Sequence, residues 1–407
     1  MARTHKNPVP TRAMSVAFEI RVALIALTGP TGGGAHQYER GVISALLDSK
    51  PQGTDFVIFC PKKLESGFRK QFPTLSIQTY RNGLFTLFFL NIRHSLAGYA
   101  LLKRSGLRCG GLEKKMCRVG IHLAYFLSPN PLSLDLVDTP MINTVWDLGH
   151  RDLPEFIEIT GDRHYEEREL YFNGVLPKSF RVIVDTEHTA KRIEQMYGVL
   201  PERTRAIGLI FNIQYAPISD AQKLDSCKFG SQYLIYPAQF WPHKRHILLV
   251  RAFSQATRTR KDVHLVLTGS DKGNEAHIKA EVERLGVSDR VHFLGFVTTE
   301  ELQNLIRDAR ALVFPSALGP SNLPPLEAAL LGTPSLISSA HHDPALINDY
   351  ITVIESESVG SWATAIEDLV AQPKPARIEM LIQHENIGVV IGEILNEFRE
   401  LRSEWSS

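Results

Sequence analysis

Two separate stretches of this chain repeat one pattern: a short, wholly apolar run, a helical period, then another apolar run. In the first stretch "RVALIALTG" (21–29), "TDFVIFCP", "TPMINTVWDLGH" and "FRVIVD" read as strands. The helix after "PTGGG" carries Val42, Ile43, Leu46 and Leu47 at helical spacing. The second stretch starts afresh with "QYLIYPAQF", "VHLVLTGS", "RVHFLGFV" and "RALVFPS". These are separated by the helical runs "HILLVRAFSQAT", "NEAHIKAEVERLG" and "TEELQNLIRDA". Strands that are apolar on both faces need helices on both faces, which dictates parallel sheets. The sequence therefore predicts an α/β chain of two Rossmann-like, doubly wound parallel-sheet domains facing each other across a cleft. The expected divisions are a flexible tail at 1–18, a first domain at 19–212 and a second at 213–386. A last helical stretch at 387–407 is expected to pack back on the first domain. The join falls in the polar stretch 212–228.

Bulk properties narrow the function classes. A length of 407 residues suits two domains, and 43% hydrophobic with 22% charged residues is a soluble globular composition. A net charge of +1 gives no argument for a nucleic-acid partner. Cys60, Cys109, Cys117 and Cys227 are too few and scattered for a disulfide scaffold or a zinc cluster, so we expect reduced thiols and a cytoplasmic protein. "VALIALTG" is too short to span a membrane, which takes about 20 apolar residues.

In open parallel sheets, ligands sit outside the carboxyl ends of the strands. Here those ends carry "TGGGAH", "DLGH", "PAQFWPHK", "LTGS", "GFVTTE" and "SALGPSN". Lys244 follows a strand and a turn and is expected to open a helix. It either meets a diphosphate as a point charge or is a solvated turn lysine. Glu327, after Pro324 and Pro325, is expected in the first turn of a helix whose free N–H groups suit phosphate oxygens. It either stabilises its own helix or accepts two hydrogen bonds from a vicinal diol such as a ribose. Glycines 32 to 34 let backbone approach a ligand, but the spacing fails the dinucleotide fingerprint, and no P-loop is present. Asp147 and His150 at a strand end read either as an acid–base pair or as a polar, capped turn.

In combination, "YPAQFWPHK", "LVLTGS" and "VHFLGFVTTEELQNLIRDARALVFPSALGPSNLPPLEAALLGTPSLIS" resemble the family-4 retaining glycosyltransferases of the two-Rossmann, GT-B type. The first domain resembles them more weakly, at "GGGAHQYERGV", "WDLGHRDLPEF" and "RVIVDTEHTAKRIEQMYGV". The resemblance implies transfer of a hexose or deoxyhexose from a nucleoside-diphosphate sugar with retention, no obligatory metal and no cofactor. It places Lys244 at the diphosphate and Glu327 at the ribose. The backbone of Pro320, Ser321, Asn322 and Leu323 meets the sugar hydroxyls, and Phe296 and Val297 line the base. Gly33 and Gly34 approach from the other domain, Gly269 lies on a strand-end loop of the donor side, and His150 is near the acceptor. Two positions depart from the family pattern: Gly319 stands where a glutamate is usual, and Gln239 where an arginine is usual. The variant loops resemble members active on mannose- or rhamnose-type donors. The same losses motivate a rival from another class, a non-catalytic sugar-nucleotide-binding or scaffold subunit.

Between Lys62 and Arg118 lie twelve Lys or Arg and only two acids, Glu65 and Glu113, interleaved with "LFTLFFLN". Such a surface either rests on an anionic membrane, the inner face of the plasma membrane, near a glycan or lipid-linked glycan acceptor, or is a buried helix with solvated flanks. The expected setting is polysaccharide or glycolipid assembly. Oligomeric state is not legible.

Overall fold

The computed structural model describes residues 19–29, 34–80, 111–208, 229, 232–319, 323–339, 350–372 and 386–405. The sequence expectations for the tail at 1–18, the join at 212–228, Cys109, Cys227 and the centre of the basic stretch, 81–110, lie outside the described residues.

The apolar runs form two parallel sheets. The first contains β1 (Ile20–Ile25), β2 (Thr54–Pro61), β3 (Ser76–Tyr80), β4 (Leu123–Phe126), β5 (Met141–Val145), β6 (Arg181–Val184) and β7 (Thr204–Ala206). Their order is β3-β2-β1-β4-β5-β6-β7. The second contains β8 (Tyr233–Pro237), β9 (His264–Thr268), β10 (Val291–Gly295), β11 (Ala311–Phe314), β12 (Ser335–Ser338) and β13 (Ile351–Ile354), in the order β10-β9-β8-β11-β12-β13. Every residue of β4, β5, β8, β11 and β12 is buried, which is why these segments read as unbroken apolar or small-residue runs. In each sheet the strand order reverses once, between β1 and β4 and between β8 and β11. Crevices open at such switch points on the carboxyl side of the strands.

The helix Ile387–Trp405 returns to the first sheet. Its Ile387, Val390, Ile391, Ile394 and Phe398 share one core with Leu24, Tyr125 and Ile142. It lies so close to the helix Gly34–Ser49 that a Cβ on Gly388 would come 2.2 Å from the carbonyl oxygen of Ala45. The Ser49 hydroxyl donates to the Gly388 carbonyl at 3.1 Å.

The two domains touch beside the second switch point. Leu153 and Ile159 of the first domain bury Ala317 of the second, with Phe156 and Leu318 at the margin. A Cβ on Gly149 would come 2.8 Å from Leu318 Cδ2, so the absence of a side chain there permits the approach. Among the described residues no helix is long and apolar enough to cross a membrane.

Candidate functional site

The loops after β8 and β11 are adjacent at the switch point and are tied together by hydrogen bonds. Ala317 N–H donates to the His243 carbonyl at 2.9 Å. The half-buried Lys244 ammonium donates to Ser316 Oγ at 3.0 Å and to the Leu318 carbonyl at 3.2 Å, and lies 5.5 Å from the Phe314 ring centre. Its backbone is fixed as well, because the Tyr236 hydroxyl donates to the Lys244 carbonyl at 2.7 Å. Burial pushes the ammonium down to about 8, against the pull of the Asp147 carboxylate. Among the described residues Lys244 makes no salt bridge, so its charge is available to an incoming anion.

Lys244 does not open the following helix, as its position after a turn suggested. It ends a 3-10 turn, Pro242–Lys244, and Arg245 in the left-handed conformation (φ 54°) separates it from the helix His246–Ala256. Gln239 is occupied locally, its Oε1 accepting from Trp241 Nε1 at 3.0 Å. Gly269, with φ 141°, faces the same loop, and a Cβ there would lie 2.3 Å from the Ala238 carbonyl oxygen, so only glycine fits. Phe296 stands 64% exposed after β10, and Val297 packs on the second core.

Gly319 has φ 132°, a conformation that a glutamate side chain strongly disfavours. Pro320, Ser321 and Asn322, like Gly33, lie outside the described residues. The next helix starts at Leu323, one residue before the two prolines, and runs to Leu330. Glu327 is therefore its fifth residue, past the first turn, and the expected charge–dipole stabilisation is weak there. The carboxyl is half-buried, and burial pushes it up to about 7. Leu323 reaches across to the first domain, where a Cβ on Gly34 would meet its Cδ1 at 3.7 Å.

In the first domain Asp147 and His150 do not pair with each other, and the alternative reading, a polar turn capped by Asp147, is the one observed. Asp147 Oδ1 accepts from Arg168 at 2.7 Å and from the Gly149 N–H at 2.8 Å. Burial opposes its charge, but the Arg168 guanidinium outweighs burial and holds the carboxyl below its usual range. His150 is fully buried, and its Nε2 lies 2.7 Å from Glu169 Oε1. Glu169 also takes both arms of Arg151, at 2.6 and 2.5 Å, and the Tyr197 hydroxyl at 2.8 Å. Burial and Arg168 lower the imidazole pKa. The competing guanidinium and carboxylate come from the helix His164–Val175, eighteen or more residues downstream.

Besides Glu169, three acids escaped the sequence reading. Glu39, fully buried, accepts from the N–H groups of Leu27 (3.0 Å) and Thr28 (2.9 Å), from the Thr28 hydroxyl (2.7 Å) and from Ser128, fixing the loop that leads to the glycines. Glu158 crosses between domains: its Oε1 accepts from the His243 N–H at 2.9 Å and lies 3.0 Å from His243 Nδ1. Burial and the Lys244 ammonium lower the His243 pKa, against the pull of the Glu158 carboxylate. Asp185, after β6, is buried and pushed up to about 7 by burial.

Lys244 thus links the two switch-point loops, and similarity to known proteins says which kind of domain carries them. Residues 227–382 match the family model described as glycosyl transferases group 1. The group 1 region contains Gln239, Lys244, Gly269, Phe296, Gly319 and Glu327. The chain is 23% identical over 219 residues to a D-inositol 3-phosphate glycosyltransferase of Mycobacterium sp. (strain JLS), covering 52% of this chain and 49% of that protein. It thus spans about half the length of the curated relatives it matches. In fold it is similar to a sucrose-phosphate synthase from Thermosynechococcus elongatus, with a TM-score of 0.66, 18% identity, and 95% and 98% of the two chains covered. It is also similar to Anabaena Alr3699/HepE solved with UDP and glucose, with a TM-score of 0.62, 15% identity, and 95% and 100% covered. The architecture of two facing parallel-sheet domains is that of the GT-B glycosyltransferases.

Proposed function

We propose that this protein is a retaining glycosyltransferase of the family-4 type. It moves a hexose or deoxyhexose from a nucleoside-diphosphate sugar to a glycan or lipid-linked glycan acceptor. One observation carries the reading: Lys244 is half-buried without a salt-bridge partner among the described residues, held by Ser316 and Leu318 at the switch point of the group 1 region. The structural neighbour crystallised with UDP and glucose supports a nucleotide-sugar donor.

The diphosphate lies against Lys244 and the amides of the loop after β11. As the glycosidic bond breaks, negative charge collects on the leaving diphosphate, and the fixed ammonium stabilises it. The leaving phosphate takes the acceptor's proton, so no separate base is needed and a metal is not obligatory. Glu327 accepts hydrogen bonds from the ribose diol, and the exposed Phe296 covers the base. Asp147 acts across the cleft on the charge of Lys244, whereas His150 and Glu169 hold the first-domain wall. The positions of Gly319 and Gln239 favour a mannose- or rhamnose-type donor in polysaccharide or glycolipid assembly.

Release of nucleoside diphosphate from a panel of GDP-, UDP-, dTDP- and ADP-sugars, with candidate acceptors, tests this. Turnover with one donor, reduced at least a hundredfold in Lys244→Ala, is expected, matching the loss on removing one such donor. Tight nucleotide binding without turnover on any acceptor establishes the rival, a non-catalytic sugar-nucleotide-binding or scaffold subunit.

A further inference from the structure

The first domain has a cavity of its own at the carboxyl ends of β1, β2, β3 and β4, away from Lys244. Its volume is 480 Å³, within the range of small-ligand sites, and it is lined by Leu27, Pro61, Lys62, Lys63, Tyr80, Asn130 and Leu132. Among the described residues its polar side chains offer donors. Lys62 pairs with Glu65, which also binds Arg69 at 2.7 Å, so one carboxylate serves two cations. Lys63 is exposed and has no ion-pair partner among the described residues. The Tyr80 hydroxyl is buried and has no hydrogen-bond partner among the described residues. Asn130 spends its side-chain oxygen on the Leu132 N–H at 2.9 Å, which leaves its NH2 group to donate.

The frame around these groups is rigid. Glu39 fixes Leu27 and Ser128, and Lys115 donates to the Thr79 carbonyl beside Tyr80. The Glu39 carboxylate faces that frame and is consumed by its hydrogen bonds. An orphaned buried hydroxyl costs about 1–3 kcal/mol unless something pairs with it. Two ammonium groups and two neutral donors suit an anion with several acceptor oxygens and a charge near −2. A phosphate ester has both properties. A carboxylate is better matched by the planar fork of arginine, and among the described residues no arginine lines the cavity.

We propose that this cavity binds a phosphate ester on the acceptor, with Lys62 and Lys63 as charge partners and Tyr80 and Asn130 as hydrogen-bond donors. The proposal rests on the glycosyltransferase reading for the word acceptor; the anion site itself does not. The phosphate comes either from a soluble sugar or polyol phosphate or from the head of a lipid-linked glycan.

The test uses the full chain saturated with UDP, so that Lys244 is already occupied. Calorimetry then measures binding of inorganic phosphate and of glucose 6-phosphate. A parallel arm measures sedimentation with phosphatidylcholine vesicles with or without phosphatidic acid. The expected result is a second phosphate site, weakened at least tenfold in Lys62→Ala/Lys63→Ala and several-fold in Tyr80→Phe, with UDP affinity unchanged. Competition of glucose 6-phosphate by phosphatidic acid vesicles assigns the lipid source; its absence assigns the soluble one. Phosphate affinity that changes less than twofold in both variants, or no phosphate binding beside UDP, overturns the proposal. Failure of UDP to bind, with Lys63-dependent phosphate binding intact, sinks the donor reading and leaves this site standing.

Discussion

The ammonium of Lys244 titrates at about 8 because burial removes water from it. Its charge is lost as pH rises through that value. If only the charged form holds a diphosphate, the apparent dissociation constant scales as 1 plus 10 to the power (pH − 8). That factor is about 1.1 at pH 7, about 2 at pH 8 and about 11 at pH 9. UDP affinity should therefore weaken about tenfold between pH 7 and pH 9, or about 1.4 kcal/mol. The diphosphate adds little to this slope, since the second ionisation of a phosphate, near 6, is about nine-tenths complete at pH 7, and the uracil N–H, which begins to ionise near pH 9, is common to the wild-type and control curves. An unperturbed lysine, near 10.4, gives a change of only about 4% over the same interval. Calorimetric titration of UDP at half-unit pH steps measures the curve. Lys244→Arg supplies the control, because a guanidinium cannot lose its proton in this range and its curve should be flat. A wild-type affinity that varies less than twofold from pH 7 to pH 9 refutes the claim that a desolvated ammonium grips the diphosphate.

Three further outcomes follow from the geometry. Glu158→Ala leaves the His243 N–H without its acceptor and should destabilise the protein by about 1–3 kcal/mol in urea unfolding, while Glu158→Gln recovers most of the loss; equal midpoints for all three proteins count against an interdomain role. The carboxyl of Glu327, raised to about 7, ionises in the unfolded chain first, so native stability falls as pH rises from about 4.5 to 7 and stays lower above. Glu327→Gln should consequently melt higher than wild type at pH 8 but not at pH 4.5, and indistinguishable curves at both pH values dismiss the burial argument. Gly269→Ala forces a Cβ to 2.3 Å from a carbonyl oxygen at φ 141° and should lose about 1–3 kcal/mol of stability along with nucleotide affinity; a wild-type melting curve contradicts the packing described for the loops after β8 and β9.

The sheets were legible because strands covered on both faces leave an unbroken apolar trace, as in "YLIYP" and "ALVF". Strand order was not, since nothing in a strand's own residues names its neighbour. Lys244 could be placed after a strand and Glu327 near a helix start, but the local backbone differed from expectation: a left-handed Arg245 ends one turn, and Glu327 lies in the fifth place of the helix Leu323–Leu330 rather than in its first turn. Of the two readings of Asp147 and His150 the capped turn holds, while the pairing is absent because Arg168 and Glu169 from another helix take both side chains. Glu39 left a usable signal: it lies three, four and seven residues before Val42, Ile43 and Leu46, on the apolar face of its helix, where an unsatisfied acid is not tolerated. Glu158 left none, because its partner is supplied by a separate domain.

The return of the helix Ile387–Trp405 to the first sheet has a consequence for biosynthesis. About 180 residues separate β7 from that helix, so at ribosomal speeds of about 5–20 residues per second the nascent first half waits about 10–40 s for part of its apolar cladding. During that interval Leu24, Tyr125 and Ile142 face a missing layer, and the emerging polypeptide is a natural client for holdase chaperones. Truncating the gene before Ile387 would leave that exposure permanent.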